Sequence, residues 1–117
     1  MRYPLNSKYF KYFKGRCEYW KHLLGIQYSV KYKWSNQKGI EAAVWYDTAS
    51  HTAVIYLAKS WNGRPTYEDM DIAALHEVCH LLLAKIFEMG EQYYAKPYLL
   101  EIEHGIITGL EKIIGRK

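Results

Sequence analysis

The segment His76-Glu77-Val78-Cys79-His80 gathers two metal-ligating side chains and one proton-transferring side chain within five residues. On a helix, residues four apart lie one turn from each other and only ~40° apart around the axis. The two imidazoles can therefore converge on one ion. Zinc accepts imidazole nitrogen and keeps one position open when the protein supplies three ligands. Glu77 follows the first histidine, so it projects beside the metal rather than onto it. A general base for a metal-activated water belongs there, and the chemistry expected is hydrolysis of a peptide bond. Cys79 points ~80° away from the mean direction of the histidines, which suits a small core residue. A nucleophilic Cys79–His80 pair is not expected, because adjacent helix residues do not face each other.

A third ligand must come from downstream. Glu88 and Glu91 are too close along the same helix or its end to fold back easily. Glu103 shares a helical face with Ile106, Ile107 and Leu110, and a carboxylate on a core-facing side is costly unless paired or metal-bound. Glu103 is therefore the first choice. His104, ~100° from it, is the second, and Glu101, ~160° away on the expected solvent side, is the third. Hydrolysis also needs a donor for the oxyanion or a group to orient the ligands. The candidates are His104, Tyr93, Tyr94, Tyr98 and His51.

These side chains need elements to hold them. Residues 6–24 read as a helix, with Asn6 or Ser7 as cap, Phe10, Phe13, Cys17, Trp20 and Leu24 as its apolar stripe, and Gly25 at its end. Tyr28, Val30, Tyr32 and Trp34 alternate with polar residues as a strand does. The run 35–39 has turn composition. Further strands are expected at about 40–47 and 52–58, joined by the hairpin-length Thr48-Ala49-Ser50-His51. The last of these is expected at a sheet edge, where it could pair with an extended substrate. Thr66 and Asp69 form a capping pattern for a long helix over about 67–89, closed by Gly90. A last helix at about 97–114, closed by Gly115, should return antiparallel beside it. The fold class is α+β: an N-terminal helix, a small, mainly antiparallel three-stranded sheet, the motif helix and a C-terminal helix.

Bulk composition sets the frame. A chain of 117 residues, half of them apolar, is one domain over 1–117 with a single core. Residues 1–65 carry eleven Lys/Arg against three Asp/Glu, and residues 66–117 carry five against nine. The basic half could attract nucleic acid or an acidic protein surface. A solvated basic face accounts for it more simply, so nucleic acid is not the favoured partner. The expected partner is a peptide or protein substrate. Two cysteines, Cys17 and Cys79, form no disulfide framework. No leader pattern and no apolar run of ~18 residues is visible, so a cytoplasmic protein without a membrane partner is expected.

The run His76-Glu77-Val78-Cys79-His80-Leu81-Leu82-Leu83-Ala84, then Glu103-His104 with Ile106-Ile107 and Leu110, resembles the small phage and prophage zinc metallopeptidases of minimal gluzincin type. Tyr19-Trp20, Leu23-Leu24-Gly25-Ile26, Ala43-Val44-Trp45-Tyr46-Asp47 and Ala53-Val54-Ile55-Tyr56-Leu57 are similar to the helix and strands of that family. The resemblance implies a zincin-like fold, zinc on His76, His80 and Glu103, and Glu77 as base. One position departs from the pattern. Ile107 stands four residues after Glu103, where a second acid would orient a ligand, so that task falls to Asp71, Asp47 or backbone carbonyls. The alternative is a zinc-stabilised or latent prophage protein that binds a regulator or nucleic acid through its basic half.

Overall fold

Asn6 starts the first helix by accepting a hydrogen bond from the Tyr9 amide at 3.1 Å. The computed structural model describes residues 2–35 and 40–114. In chain order the elements are β1 (Tyr3–Pro4), α1 (Ser7–Leu23), β2 (Ser29–Trp34), β3 (Ala42–Asp47), β4 (Thr52–Leu57), β5 (Ser60–Trp61), α2 (Tyr67–Gly90) and α3 (Lys96–Ile114). Helix α1 closes with Gly25 at φ 68°. There the Gly25 amide donates to the His22 carbonyl and the Ile26 amide to the Lys21 carbonyl, a paired closure that needs a left-handed residue. The class is α+β, as expected. Of the turn at 35–39, residues 36–39 lie outside the described residues, as does Gly115.

The sheet order is β2-β4-β3, which corrects two expectations. Strand β4 is central rather than an edge, and β2 runs parallel to it, pairing Val30 with Ala53 and Tyr32 with Ile55. Only β3 is antiparallel to β4, with Val44 opposite Ile55. The three-stranded sheet is thus mixed. Burial explains the order. β4 is the most apolar strand, and its Ala53, Ile55 and Leu57 are almost wholly buried, so placing it centrally covers it on both sides. Hairpin-length spacing held for β3 and β4 but says nothing about β2, whose partner is set by burial. Strands β1 and β5 form a separate antiparallel clip.

The core lies between helices and sheet. Phe13, Cys17 and Trp20 of α1 join Met70, Ala74, Leu75, Val78 and Cys79 of α2 and the inner face of β4. Asp71 ties the two helices at their edge, accepting from Arg16 Nε and Trp20 Nε1, each at 2.7 Å. Helix α3 sends only Ile107 and Glu103 into full burial. Gly90 does not stop α2 by turning left-handed. It is the last helical residue, and a Cβ there would meet Leu99 Cδ2 at 3.0 Å. Its smallness lets the start of α3 come close. Among the described residues, no helix is long and apolar enough to cross a membrane.

Candidate metal centre

Helix α2 is set by Thr66, whose hydroxyl accepts from the Asp69 amide at 3.0 Å, while Glu68 and Asp69 complement the positive helix end. Its buried face is anchored by Ala74, Leu75, Val78 and Cys79. That anchoring turns His76 and His80 toward α3. Running back antiparallel, α3 presents His104 to both. The ring centroids of His76, His80 and His104 lie 5.0 to 5.6 Å apart. One ligand atom from each lies within 4.8 Å of the others.

Each ring is held from behind. His76 Nδ1 lies 2.8 Å from Glu111 Oε2, His80 Nδ1 lies 3.2 Å from Glu103 Oε1, and His104 Nδ1 lies 2.9 Å from the Leu100 carbonyl oxygen. With Nδ1 donating to its acceptor on each ring, Nε2 is the nitrogen left for the shared centre. This is the usual way a protein fixes a ligating histidine. Burial, opposed by the Glu103 charge, lowers the His80 pKa. The neutral imidazole is thereby favoured, and that is the form that binds metal. Tetrahedral zinc with bonds of 2.0–2.1 Å sets its nitrogens ~3.3 Å apart. Three nitrogens within 4.8 Å are thus a small side-chain closure from a three-histidine site.

Glu103 is buried at 5% exposure, as its core-facing position predicted. Its Oε1 faces His80, and its Oε2 is buried without a hydrogen-bond partner. Its carboxylate is not part of the converging group of three histidines. Glu101 is exposed on the solvent side. Glu88 instead accepts from the Thr48 hydroxyl at 2.5 Å.

Glu77 is 7% exposed, and no hydrogen bond to its carboxyl is present among the described residues. Burial, and secondarily the Glu111 charge, push its pKa up to about 8. A dication beside it would act in the opposite direction. Glu77, His76 and Glu111 line one end of a cleft of ≈ 520 Å³, which continues past Ile72 and Ala73 to Asp69, Glu41 and Arg64. Edge strand β3 begins at this cleft with Ala42.

The other donor candidates sit elsewhere. Tyr93 and Tyr94 are exposed in the α2–α3 connection, which begins eleven residues beyond His80, and Tyr98 is exposed in the first turn of α3, six residues before His104. His51, at φ 55° in the β3–β4 turn, stacks on Tyr28. The two carboxylates expected to orient the ligands are committed to other tasks. Asp71 holds Arg16 and Trp20, and Asp47 accepts from the Ala49 amide within the turn. Glu111 does that work for His76 and was missed. Its spacing of seven from His104, two helical turns on one stripe, is the signal that could have found it. Tyr46 was missed as well. Its pKa is pushed up to about 12 by burial and then by the charges of Glu103, Glu91 and Glu88.

No protein family, curated protein or solved structure matches this chain.

Proposed function

We propose that this protein is a zinc-dependent peptidase whose metal is held by His76, His80 and His104. The observation that carries the reading is the convergence of these three imidazoles, each backed at Nδ1, beside a buried glutamate that opens onto a cleft. The donor set fits zinc, because three imidazoles leave a fourth position open. Zinc bound there would supply a Lewis acid for the scissile carbonyl and for the attacking water.

The chain's own groups do the rest. The Glu77 carboxylate takes the proton of the attacking water and passes it to the leaving amine. Its near-complete burial keeps that proton from exchanging freely with solvent. Glu111 and Glu103 hold His76 and His80 in one tautomer. Among the described residues strand β3 pairs only with β4, and its first residue, Ala42, lines the cleft, so an extended peptide can add to its outer side by backbone hydrogen bonds. An edge strand beside a His-Glu-x-x-His helix supports a zincin-like reading of the fold. Under this reading Glu103 orients His80 and His104 binds the metal.

The test is metal content and hydrolysis together. Protein purified without chelator should hold about one zinc per chain, or take it up on addition. It should cleave unstructured peptides, and Glu77→Gln should lower that rate by ~10²-fold or more while retaining zinc. A protein that neither contains zinc nor takes it up overturns the reading. So does Glu77→Gln with full activity.

A further inference from the structure

We infer that the protein pairs with a second copy of itself through one face of the α2–α3 hairpin. The pair is a two-fold dimer in which α2 of each copy lies on α3 of the other. The face points away from the metal centre, so it stands apart from the peptidase reading.

Helical phase defines the face. Contacts of His76 with Glu111, of His80 with Glu103 and of Gly90 with Leu99 make α2 and α3 antiparallel neighbours. Leu83, Phe87 and Gly90 share the α3-facing side of α2 with His80, at spacings of three, seven and ten. Leu99, Glu103 and Ile107, spaced by four, form the α2-facing side of α3. The residue just before each of these six is large and apolar: Leu82, Ile86 and Met89 on α2, and Tyr98, Ile102 and Ile106 on α3. All six are exposed, by 39 to 70%. One step back along a helix turns a side chain by ~100°. In an antiparallel pair that turn leads to the same side of the hairpin on both helices, so the six form one continuous patch. His104 is the residue after Glu103, and the metal centre therefore lies on the opposite side.

The patch is large enough to carry a dimer. Six such side chains, about half exposed, present roughly 600 Å², the upper end of what a monomer leaves bare. Two copies face to face would remove about 1,200 Å² from water before any rim is counted, above the ~1,000 Å² that a specific interface needs.

Charge identifies the occupant and its orientation. Lys85 lies two residues beyond Leu83, and Glu101 two before Glu103, so each points away from the neighbouring helix, at opposite outer edges of the patch. Lys85 is midway between His80 and Gly90, and Glu101 midway between Glu103 and Leu99, so the two stand at one level. Both are exposed, and neither has an ion pair among the described residues. A two-fold axis running along the helices lays the Lys85 edge of each copy over the Glu101 edge of the other. An axis running across the helices would instead set like edges together. The patch is thus complementary to itself in one orientation, as a two-fold interface requires. That orientation sets each α2 antiparallel to the α3 it covers and completes a four-helix bundle.

The test is the oligomeric state of the full chain, measured by sedimentation across a micromolar concentration series. A reversible monomer–dimer equilibrium is expected. The double variant Ile86→Asp, Ile102→Asp should be monomeric throughout, with an unchanged circular dichroism spectrum. Lys85→Glu and Glu101→Lys each set like charges together twice, and each should weaken the dimer about tenfold. An equimolar mixture of these two variants restores both pairs and should associate more tightly than either alone. Added salt should narrow that difference. A chain that is monomeric at every concentration overturns the inference, and one that instead binds phosphatidylcholine vesicles assigns the face to a lipid surface. A dimer indifferent to the two Asp substitutions overturns the face. A mixture no tighter than either charge variant alone overturns the orientation.

Discussion

His76 Nδ1 and Glu111 Oε2 stand 2.8 Å apart although 35 residues separate them in the chain. This contact joins the first residue of the motif to the last turns of α3. Removing it leaves the His76 ring free to rotate and to change tautomer. Glu111→Gln should therefore weaken zinc binding by about 10–100-fold, and Glu111→Ala by at least as much. Competition against a chelator of known affinity measures this. Unchanged affinity in both variants would make the contact incidental.

The roles of the neighbours Glu103 and His104 separate by the same measurement. His104→Ala should lose stoichiometric zinc at micromolar protein. Glu103→Gln keeps a hydrogen-bond acceptor facing His80, so it should retain zinc with affinity lowered at most ~100-fold. Cobalt substitution gives a second readout. The visible spectrum should keep its four-coordinate form in Glu103→Gln and lose it in His104→Ala. The reverse pattern would make Glu103 the ligand.

Both cysteines lie fully buried on facing helices. Burial, and then the Glu111 charge, push the Cys79 thiol up to about 11, and burial raises Cys17 well above its ordinary value. A thiol whose folded pKa is raised contributes stability that is complete below its unfolded value. That stability is lost as pH climbs through the folded one. The melting temperature should thus fall between about pH 9 and pH 11 from this cause. At pH 8 neither thiol should react with a disulfide reagent until denaturant is added. Fast native-state reaction of either one would contradict the packing described.

Asp71 tests the frame apart from the site. Asp71→Asn weakens the acceptor shared by Arg16 and Trp20 at the α1–α2 edge. The expected loss is about 1–2 kcal/mol in denaturant unfolding, with zinc affinity unchanged. A change in zinc affinity would show that α1 helps position the motif.

Much of this arrangement is legible in the residues. Asn6, Thr66 and Gly25 mark helix ends because each satisfies backbone groups that a helix leaves open. The spacing of His76 and His80 places both on one side of α2. The side chains of α3 are harder to read, because their helical phase is known while the roll of α3 against α2 is not. Glu103 and His104 differ by only ~100°, and that roll decides which faces the centre. Glu103 is indeed core-facing beside Ile107, and for that reason it reaches the back of His80. The strand order escaped for a similar reason. Alternation gives each strand its inner face, but the partner of β2 depends on where the apolar β4 is best covered.

Helix α3 packs mainly on α2, and only Ile107 and Glu103 secure it in full burial, yet it carries His104, Glu103 and Glu111. The centre is therefore complete only in molecules where α3 is docked. Under the proposed reading, the apparent zinc dissociation constant should equal the intrinsic constant divided by the docked fraction. Zinc bound by these histidines would be linked to α3 docking, so whatever steadies α3 should tighten the metal, and chelation should free α3 for proteolysis before the rest of the chain.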